Sequence, residues 1–141
     1  MVTMTYESGQ RTLTGNDPIS ALLAMQALDI DAFGCNCSCG PEAMLAIVAS
    51  MKPWSKVPLV AKPNAGLPHL VDDKTVFSMD AQEFASYAPK LVEAGVNLLG
   101  GCCGTTPDHI RALTEVVKKL PVRKPLAEHR RILTSERQMV E

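Results

Sequence analysis

The strongest constraint on the fold of this 141-residue chain is a strand–helix alternation that occurs four times. Each unit contains a short apolar run, a polar or glycine-rich break, and then a helix start. The predicted strands cover residues 2–6, 29–36, 57–61 and 96–99. The predicted helices begin at Asp17-Pro18, Gly40-Pro41, Asp80 and Thr106-Pro107. Alternation of this kind indicates right-handed βαβ units and a parallel α/β sheet.

Two architectures satisfy this order: an open doubly wound sheet, or part of a (β/α)8 barrel, of which four units are half. Residues 62–75 are predicted to form a loop, and the helix over 80–95 should be kinked by Pro89. The helix over 17–28 should bury Leu22, Met25 and Leu28. Residues 121–141 are charged and lack an apolar stripe, so they are predicted to be a tail or an interdomain linker.

Two of the four predicted helices have a clear apolar stripe, which is expected to be buried. In the second helix the stripe is Met44, Ile47, Val48 and Met51. In the fourth helix the stripe is Ile110, Leu113, Val116, Val117 and Leu120.

All five cysteines lie in two glycine-flanked segments, residues 34–41 and 100–107. Each segment comes directly after a predicted strand and opens a helix. Neighbouring side chains on a strand point to opposite faces, but a strand end beside glycines allows Cys102 and Cys103 to turn their sulfurs the same way. An odd number of clustered cysteines favours reduced, metal-binding thiols over a disulfide framework.

Composition excludes several classes of function. A formal net charge of −1 does not suggest a polyanion such as nucleic acid as partner. No apolar run has the length of a membrane span, and the first residues lack the basic and apolar regions of a signal peptide. We therefore expect a cytoplasmic protein with no nucleic-acid or membrane partner.

The two cysteine motifs, Gly34-x-Asn36-Cys37-x-x-Gly40-Pro41 and Gly100-Gly101-Cys102-Cys103-Gly104-Thr105-Thr106-Pro107, resemble the zinc signature of the homocysteine S-methyltransferase family. Within that family the resemblance is greatest to the homocysteine-binding module of cobalamin-dependent methionine synthases. Residues 62–68 are similar to the family's loop after the seventh barrel strand. The resemblance runs from about residue 3 to about residue 124. It implies the C-terminal half of a (β/α)8 TIM barrel over residues 1–120, corresponding to strands five to eight, followed by the tail or linker 121–141.

The resemblance also implies a chemistry. Cys37, Cys102 and Cys103 would hold Zn²⁺ and leave a fourth position open, as catalytic zinc sites do. The implied reaction is methyl transfer to the thiol of homocysteine, which gives methionine. Asn36 and Asn64 are the implied substrate-binding residues, and no other catalytic residue is assigned. Methylcobalamin on another domain or chain is the implied methyl donor, with betaine and S-methylmethionine as open alternatives.

The remaining cysteines, Cys35 and Cys39, are left outside the site and are expected to be small buried side chains. The alternative is a soft-metal cluster formed by the C-x-C-x-C run. For the three proposed ligands themselves, the alternative is that they fill gaps in the core.

The other polar and aromatic candidates receive no site role. His69, His109 and His129 are expected to be exposed or locally hydrogen-bonded, and Tyr6 and Trp54 to pack in the core or cover a helix end.

Half a barrel has two open sheet edges, which should drive association. The missing N-terminal half-barrel would come from the same longer enzyme, from another chain, or from a homodimer partner, with corrinoid and folate domains as possible further partners. Whether the chain is active alone stays open. The alternatives are a catalytically inactive zinc-binding fragment or assembly subunit, and a cysteine redox protein, against which the absence of a C-x-x-C motif argues.

Overall fold

The computed structural model describes residues 1–7, 9–122, 124–125, 133–135 and 139–140. In chain order the strands are β1 Val2–Met4, β2 Phe33–Asn36, β3 Leu59–Lys62, β4 Pro68–Val71, β5 Lys74–Phe77, β6 Val96–Leu99, β7 Leu133–Thr134 and β8 Met139–Val140. Four of them form one all-parallel sheet in the order β1-β2-β3-β6. Strand order in this sheet follows chain order without a reversal, and the predicted parallel α/β sheet is confirmed.

The helices are α1 Pro18–Gln26, α2 Pro41–Met51, α3 Ala81–Ser86, α4 Ala88–Glu93 and α5 Pro107–Val117, with a 3-10 turn over Lys52–Trp54. The predicted caps at Asp17 and Asp80 are confirmed, since each carboxylate accepts hydrogen bonds from two backbone N–H groups of the first turn. In the part of the chain that the structure describes, no helix is long and apolar enough to cross a membrane.

The core has two parts. The larger part lies between the sheet and helices α1 and α2, and it contains the whole predicted stripe of α2. Its buried members include Leu22, Phe33, Cys35, Met44, Ile47, Val48, Met51, Leu59, Ala61 and Val96. The smaller part lies under α3, α4 and α5 and contains Ala65, Phe84, Ala88 and Leu113. Leu99 contacts both parts, so the end of β6 connects them.

Two predicted apolar positions are wrong. Leu28 lies beyond the end of α1 and is 68% exposed, because the helix stops at Gln26 and the chain turns through a left-handed Asp29 with φ 55°. This turn also delays β2, which begins at Phe33 and not at residue 29. On α5, Ile110 is 42% exposed, whereas Leu113 is buried as predicted.

The predicted loop over residues 62–75 is wrong in its second half, where β4 and β5 pair as an antiparallel hairpin. The tight turn between them uses Asp72 and Asp73, with φ of 49° and 57°. Two consecutive positive φ values define the turn type that matches the twist of a hairpin, but it usually carries Asn-Gly or Asp-Gly. The Asp-Asp pair is a weak turn signal, which is why the sequence did not predict the hairpin.

The helix predicted over residues 80–95 is two helices. The break falls at Tyr87, and Pro89 lies in the first turn of α4, where the missing N–H costs no intrahelical hydrogen bond. The predicted kink is thus a full interruption. Most of the predicted tail, residues 121–141, lies outside the described residues; within it, β7 and β8 pair antiparallel.

The closest backbone contact in the sheet is between β2 and β3 at Gly34. A Cβ atom added at Gly34 would lie 1.9 Å from the carbonyl oxygen of Val60. Backbone atoms of a central strand pair cannot move away without breaking the ladder. Gly34 therefore allows the two strands that precede the Cys37 and Asn64 loops to pair.

We expect Gly34→Ala to lower the free energy of unfolding by roughly 3 kcal/mol or more, at the upper end of overpacking effects. The matched control is Gly9→Ala, because nothing lies within 4 Å of a Cβ added there. Urea denaturation followed by circular dichroism measures both variants. Equal stability of the two variants would contradict this account of the β2–β3 contact.

Candidate metal centre

Three loops meet at the carboxyl end of the parallel sheet. Cys37 comes directly after β2, Asn64 comes two residues after β3, and Cys102 and Cys103 follow β6. Because β3 lies between β2 and β6 in the sheet, its loop lies between the two cysteine loops. The sheet topology thereby brings together residues that are 66 positions apart in the chain.

The three sulfur atoms of Cys37, Cys102 and Cys103 all lie within 4.8 Å of one another. The Cys37 and Cys103 sulfurs are 3.6 Å apart, and the Cys102 and Cys103 sulfurs are 4.0 Å apart. Among the described residues this is the one group of three or more His, Cys, Asp and Glu side chains placed to hold a metal ion.

The backbone at Cys37 has an unusual conformation. Cys37 and Ser38 both have a positive φ, 61° and 62°, and residues other than glycine rarely adopt such values. The Cys39 N–H donates to the Cys37 carbonyl at 2.8 Å and closes a tight turn around Ser38. This turn ends the strand at Asn36, and it explains how Cys37 leaves the alternation of β2 and aims its sulfur at the β6 loop.

The second cysteine loop is a four-residue turn from Cys102 to Thr105. The backbone N–H and the hydroxyl of Thr105 both donate to the Cys102 carbonyl, at 3.2 and 2.7 Å. Gly104 occupies the third position with φ 78°, where this turn requires a positive value. The ring of Phe77 packs closely against Gly104, so a Cβ added at Gly104 would lie 2.3 Å from the Phe77 Cγ.

Backbone hydrogen bonds hold the β3 loop between the two cysteine loops. On one side the Cys37 N–H donates to Lys62 and the Asn64 N–H donates to Cys39, at 3.1 and 3.0 Å. On the other side, the hydrogen bonds run from the Cys102 N–H to the Pro63 carbonyl and from the Ala65 N–H to the Cys103 carbonyl, both at 2.9 Å. The relative positions of the sulfurs are therefore set by main-chain contacts.

The side chain of Asn64 joins both cysteine loops. Its Oδ1 accepts from the Cys103 N–H at 3.1 Å, and its amide group hydrogen-bonds the Cys37 sulfur. The side chain is only 5% exposed. Asn64, the predicted substrate-binding residue, thus lies against the sulfur cluster. Its side chain contacts the cysteines.

Two thiols of the cluster, Cys37 and Cys103, differ in acidity. The pKa of Cys37 is lowered, mainly because the Ser38 backbone N–H donates to its sulfur, with further hydrogen bonds from Cys103, Cys102 and Asn64. Hydrogen bonds and charges from Cys37 and Cys102 raise the pKa of Cys103 to about 11. The Cys37 thiol is therefore more acidic than the Cys103 thiol.

The structure separates the other two cysteines from this cluster. The Cys35 side chain points into the larger core, where its thiol faces the Val60 carbonyl at 3.9 Å and burial raises its pKa to about 12. Cys39 is half-buried against the same core, and burial, together with the charges of Cys37 and Glu7, raises its pKa. Cys35 is the small buried side chain that the sequence predicts, whereas Cys39 is only half-buried.

The remaining candidates fall into three groups. Asn36 is the half-buried last residue of β2. Tyr6 is buried and Trp54 partly buried in the larger core, as predicted. His69 is exposed on the hairpin, whereas His109 is buried and hydrogen-bonded; His129 lies outside the described residues.

Two contributors were missed at the sequence level. The Ser38 backbone N–H acts on Cys37 only through the left-handed turn. Glu7, three residues after β1, accepts a hydrogen bond from the Ser38 hydroxyl at 3.1 Å. The Ser38-Cys39-Gly40-Pro41 run, which forces an early strand end, is the available signal for the turn.

The donor set fits a soft divalent metal. Zinc–thiolate bonds of about 2.3 Å in a tetrahedron place neighbouring sulfurs about 3.8 Å apart. The separations of 3.6 and 4.0 Å lie on either side of that value. Cys37 and Cys102 are half-buried and Cys103 is exposed, so the cluster is open to solvent on one side.

Fold and cluster together define an α/β protein with a three-cysteine cluster, placed to hold a metal ion, at the carboxyl end of a parallel sheet. Comparison with known proteins gives the family. The family described as homocysteine S-methyltransferase matches residues 1–117. This chain belongs to the homocysteine S-methyltransferase family, and the resemblance seen in the sequence is confirmed.

Individual relatives agree with this assignment. The chain is 36% identical over 119 residues to a methionine synthase of Mycobacterium leprae (strain TN) and 35% identical over 118 residues to that of Mycobacterium tuberculosis (strain ATCC 25618 / H37Rv). These matches cover 84% and 83% of this chain. The chain spans only about a tenth of the length of these curated relatives, 10% of each.

Solved structures give the same result. The homocysteine methyltransferase MmuM from Escherichia coli superimposes in its oxidized form with a TM-score of 0.61 at 28% identity, over 80% of this chain and 34% of that one. The apo form gives a TM-score of 0.56 at 29% identity, over 76% of this chain and 36% of that one.

The acidity order predicts the order of chemical modification in the metal-free, reduced protein. We expect iodoacetamide at neutral pH to alkylate Cys37 before Cys103, although Cys103 is more exposed, because the reactive species is the thiolate. A more acidic thiolate is also a weaker nucleophile, so the ratio of rates should be roughly threefold for each unit between the two pKa values. Peptide mapping by mass spectrometry at timed quenches measures the order, with buried Cys35 as the unreactive reference. Faster labelling of Cys103 would refute the acidity order.

Proposed function

We propose that this chain contributes the metal-binding half of a zinc-dependent homocysteine methyltransferase, which transfers a methyl group to the homocysteine thiol and gives methionine. The observation that carries the proposal is the cluster of three thiol sulfurs within 4.8 Å at the carboxyl end of the sheet. The family to which the chain belongs is described as homocysteine S-methyltransferase.

Cys37, Cys102 and Cys103 are the proposed zinc ligands. Zinc bound there supplies a Lewis acid that favours the thiolate form of an incoming thiol at neutral pH. The chain's own contribution is a preformed donor set: the pKa of the Cys37 thiol is lowered, and Asn64 holds both cysteine loops in place. The open side of the cluster leaves room for the substrate sulfur. Asn36, half-buried at the end of β2, remains a proposed substrate contact.

The fold supports the half-barrel part of the proposal. Strand order follows chain order, and α1 packs on α2, α2 on α4 and α4 on α5, so the helices lie on one face of the sheet. A doubly wound sheet would reverse its strand order and carry helices on both faces. We therefore propose that residues 1–120 correspond to strands five to eight of a (β/α)8 barrel, with residues 121–141 as a tail or linker.

The opposite face of the sheet suggests a partner. Leu99 packs on the core, so Leu98 points to the helix-free face, where it is 46% exposed. We propose that the N-terminal half-barrel, from the same longer enzyme, another chain or a second copy, covers this face. We place methylcobalamin, the proposed methyl donor, on another domain or chain, together with any corrinoid and folate domains, and the working compartment in the cytoplasm.

A second candidate function follows from the same open face. If groups that hold the amino-acid end of homocysteine lie in the other half, the chain alone binds zinc without turnover. It would then act as a catalytically inactive zinc-binding fragment or assembly subunit. Exposed Leu98 and the coverage of about a third of the E. coli enzyme favour this candidate for the isolated chain.

Zinc content tests the ligand assignment. We expect native mass spectrometry of the reduced 141-residue chain to show one zinc per chain. Cys37→Ser and Cys102→Ser should each weaken zinc binding by more than the roughly 10–100-fold typical of changes outside the ligand shell. Cys39→Ala is the matched control and should retain zinc, because Cys39 lies outside the cluster. A folded wild-type chain without zinc would overturn the assignment.

Methyl transfer separates the two candidate functions. The zinc-loaded chain is incubated with homocysteine and methylcobalamin, and methionine is measured by mass spectrometry. Methionine formation that disappears in Cys102→Ser supports an active half-domain. Zinc binding without methionine formation supports the second candidate, and turnover restored by an N-terminal half-barrel would identify the missing partner.

A further inference from the structure

His109 is the one histidine buried among the described residues, and the metal centre does not use it. It occupies the third position of α5, six residues after Cys103, and is 9% exposed. The edge of its ring packs against Phe84, with 5.6 Å between ring centroids. A histidine at this place in a helix is unusual, because the residue that returns a hydrogen bond to the helix cap is normally Glu or Gln.

Both ring nitrogens of His109 have partners. Nδ1 lies 3.3 Å from the Thr106 backbone N and 2.9 Å from the Thr106 hydroxyl, which completes the cap of α5. Nε2 lies 3.0 Å from the Met79 carbonyl oxygen. A carbonyl only accepts and a backbone N–H only donates, so the ring must be neutral with its proton on Nε2.

These hydrogen bonds continue to the metal centre. The Met79 N–H donates to the Ala65 carbonyl at 3.1 Å, and the Ala65 N–H donates to the Cys103 carbonyl at 2.9 Å. From Cys103 the chain runs through the Cys102–Thr105 turn to Thr106, which returns to His109. The result is a closed ring of contacts in which His109 is the one side-chain member that both donates and accepts.

We propose that His109 is a positioning residue for the metal centre, acting through Met79 and Ala65 on the turn that carries Cys103. Its Nδ1 fixes where α5 starts, and its Nε2–H fixes the segment between the hairpin and α3. Together they hold the Cys102–Cys103 turn against the Asn64 loop. The inference rests on the proposed ligand set, and its first test does not depend on metal.

The first test is the tautomer. In the metal-free wild-type chain, long-range ¹H–¹⁵N NMR of the imidazoles near neutral pH should show a neutral ring with the proton on Nε2. The resonance is assigned by its absence from His109→Gln. A protonated ring, or a proton on Nδ1, would overturn the proposal, because the Thr106 N–H would then lack its acceptor.

The second test is zinc affinity, measured by competition with a chromophoric chelator. His109→Leu keeps apolar volume but removes both hydrogen bonds, and it should weaken zinc binding by roughly 10–100-fold, as losses of outer-shell partners do. His109→Gln keeps one hydrogen-bond acceptor and one donor. Its zinc affinity should therefore lie within about threefold of the wild-type value.

The matched control is Leu113→Ala, another buried residue of α5 in the same core. It should lower stability by roughly 2–5 kcal/mol and leave zinc affinity nearly unchanged. Equal weakening of zinc binding in Leu113→Ala and His109→Leu would mean that a general loss of stability lowers the affinity, and it would overturn the proposal. Zinc binding by His109→Gln as weak as that of His109→Leu would also overturn it. Failure of the wild type to bind zinc would instead count against the ligand assignment and leave the tautomer test in force.

Discussion

The main-chain hydrogen bonds of the β3 loop are the contacts on which the rest of the site depends. Residues 62–65 accept from or donate to Cys37 and Cys39 on one side and Cys102 and Cys103 on the other. Each such bond contributes only about 0.5–1.5 kcal/mol net. Their importance is geometric, because they fix three loops that share no sequence neighbourhood. The sulfur cluster is a consequence of this arrangement.

The same contacts offset local strain. Two consecutive left-handed residues, Cys37 and Ser38, cost about 1–3 kcal/mol each. The left-handed turn removes Cys37 from the strand alternation, so that its sulfur faces the β6 loop while Cys35 stays in the core. It also exposes the Ser38 N–H to the Cys37 sulfur, and this is the largest factor lowering the pKa of that thiol. Strain, ligand direction and acidity thus have one structural origin.

The sequence predicted the parts of this arrangement that depend on periodicity and motifs. The four parallel strands, the cap residues Asp17 and Asp80, and the stripe of α2 all follow from local chemistry, and the structure contains them. The hairpin was missed because Asp72-Asp73 is a poor signal for its turn, and the helix break at Tyr87 was placed at Pro89. The role of Asn64 could not be derived either. Its two partners lie on separate loops, and only the packed sheet determines that one amide reaches both.

The cluster and the rest of an active site need not be present in the same chain. Every element that positions the sulfurs lies within the described residues: the ends of three strands, the Asn64 loop and the start of α5. The side chain of Leu98 on β6 is different, since it is 46% exposed. In the function proposed above, the metal ligands and the covering half depend on different contacts. Zinc content and turnover are therefore independent measures of that proposal.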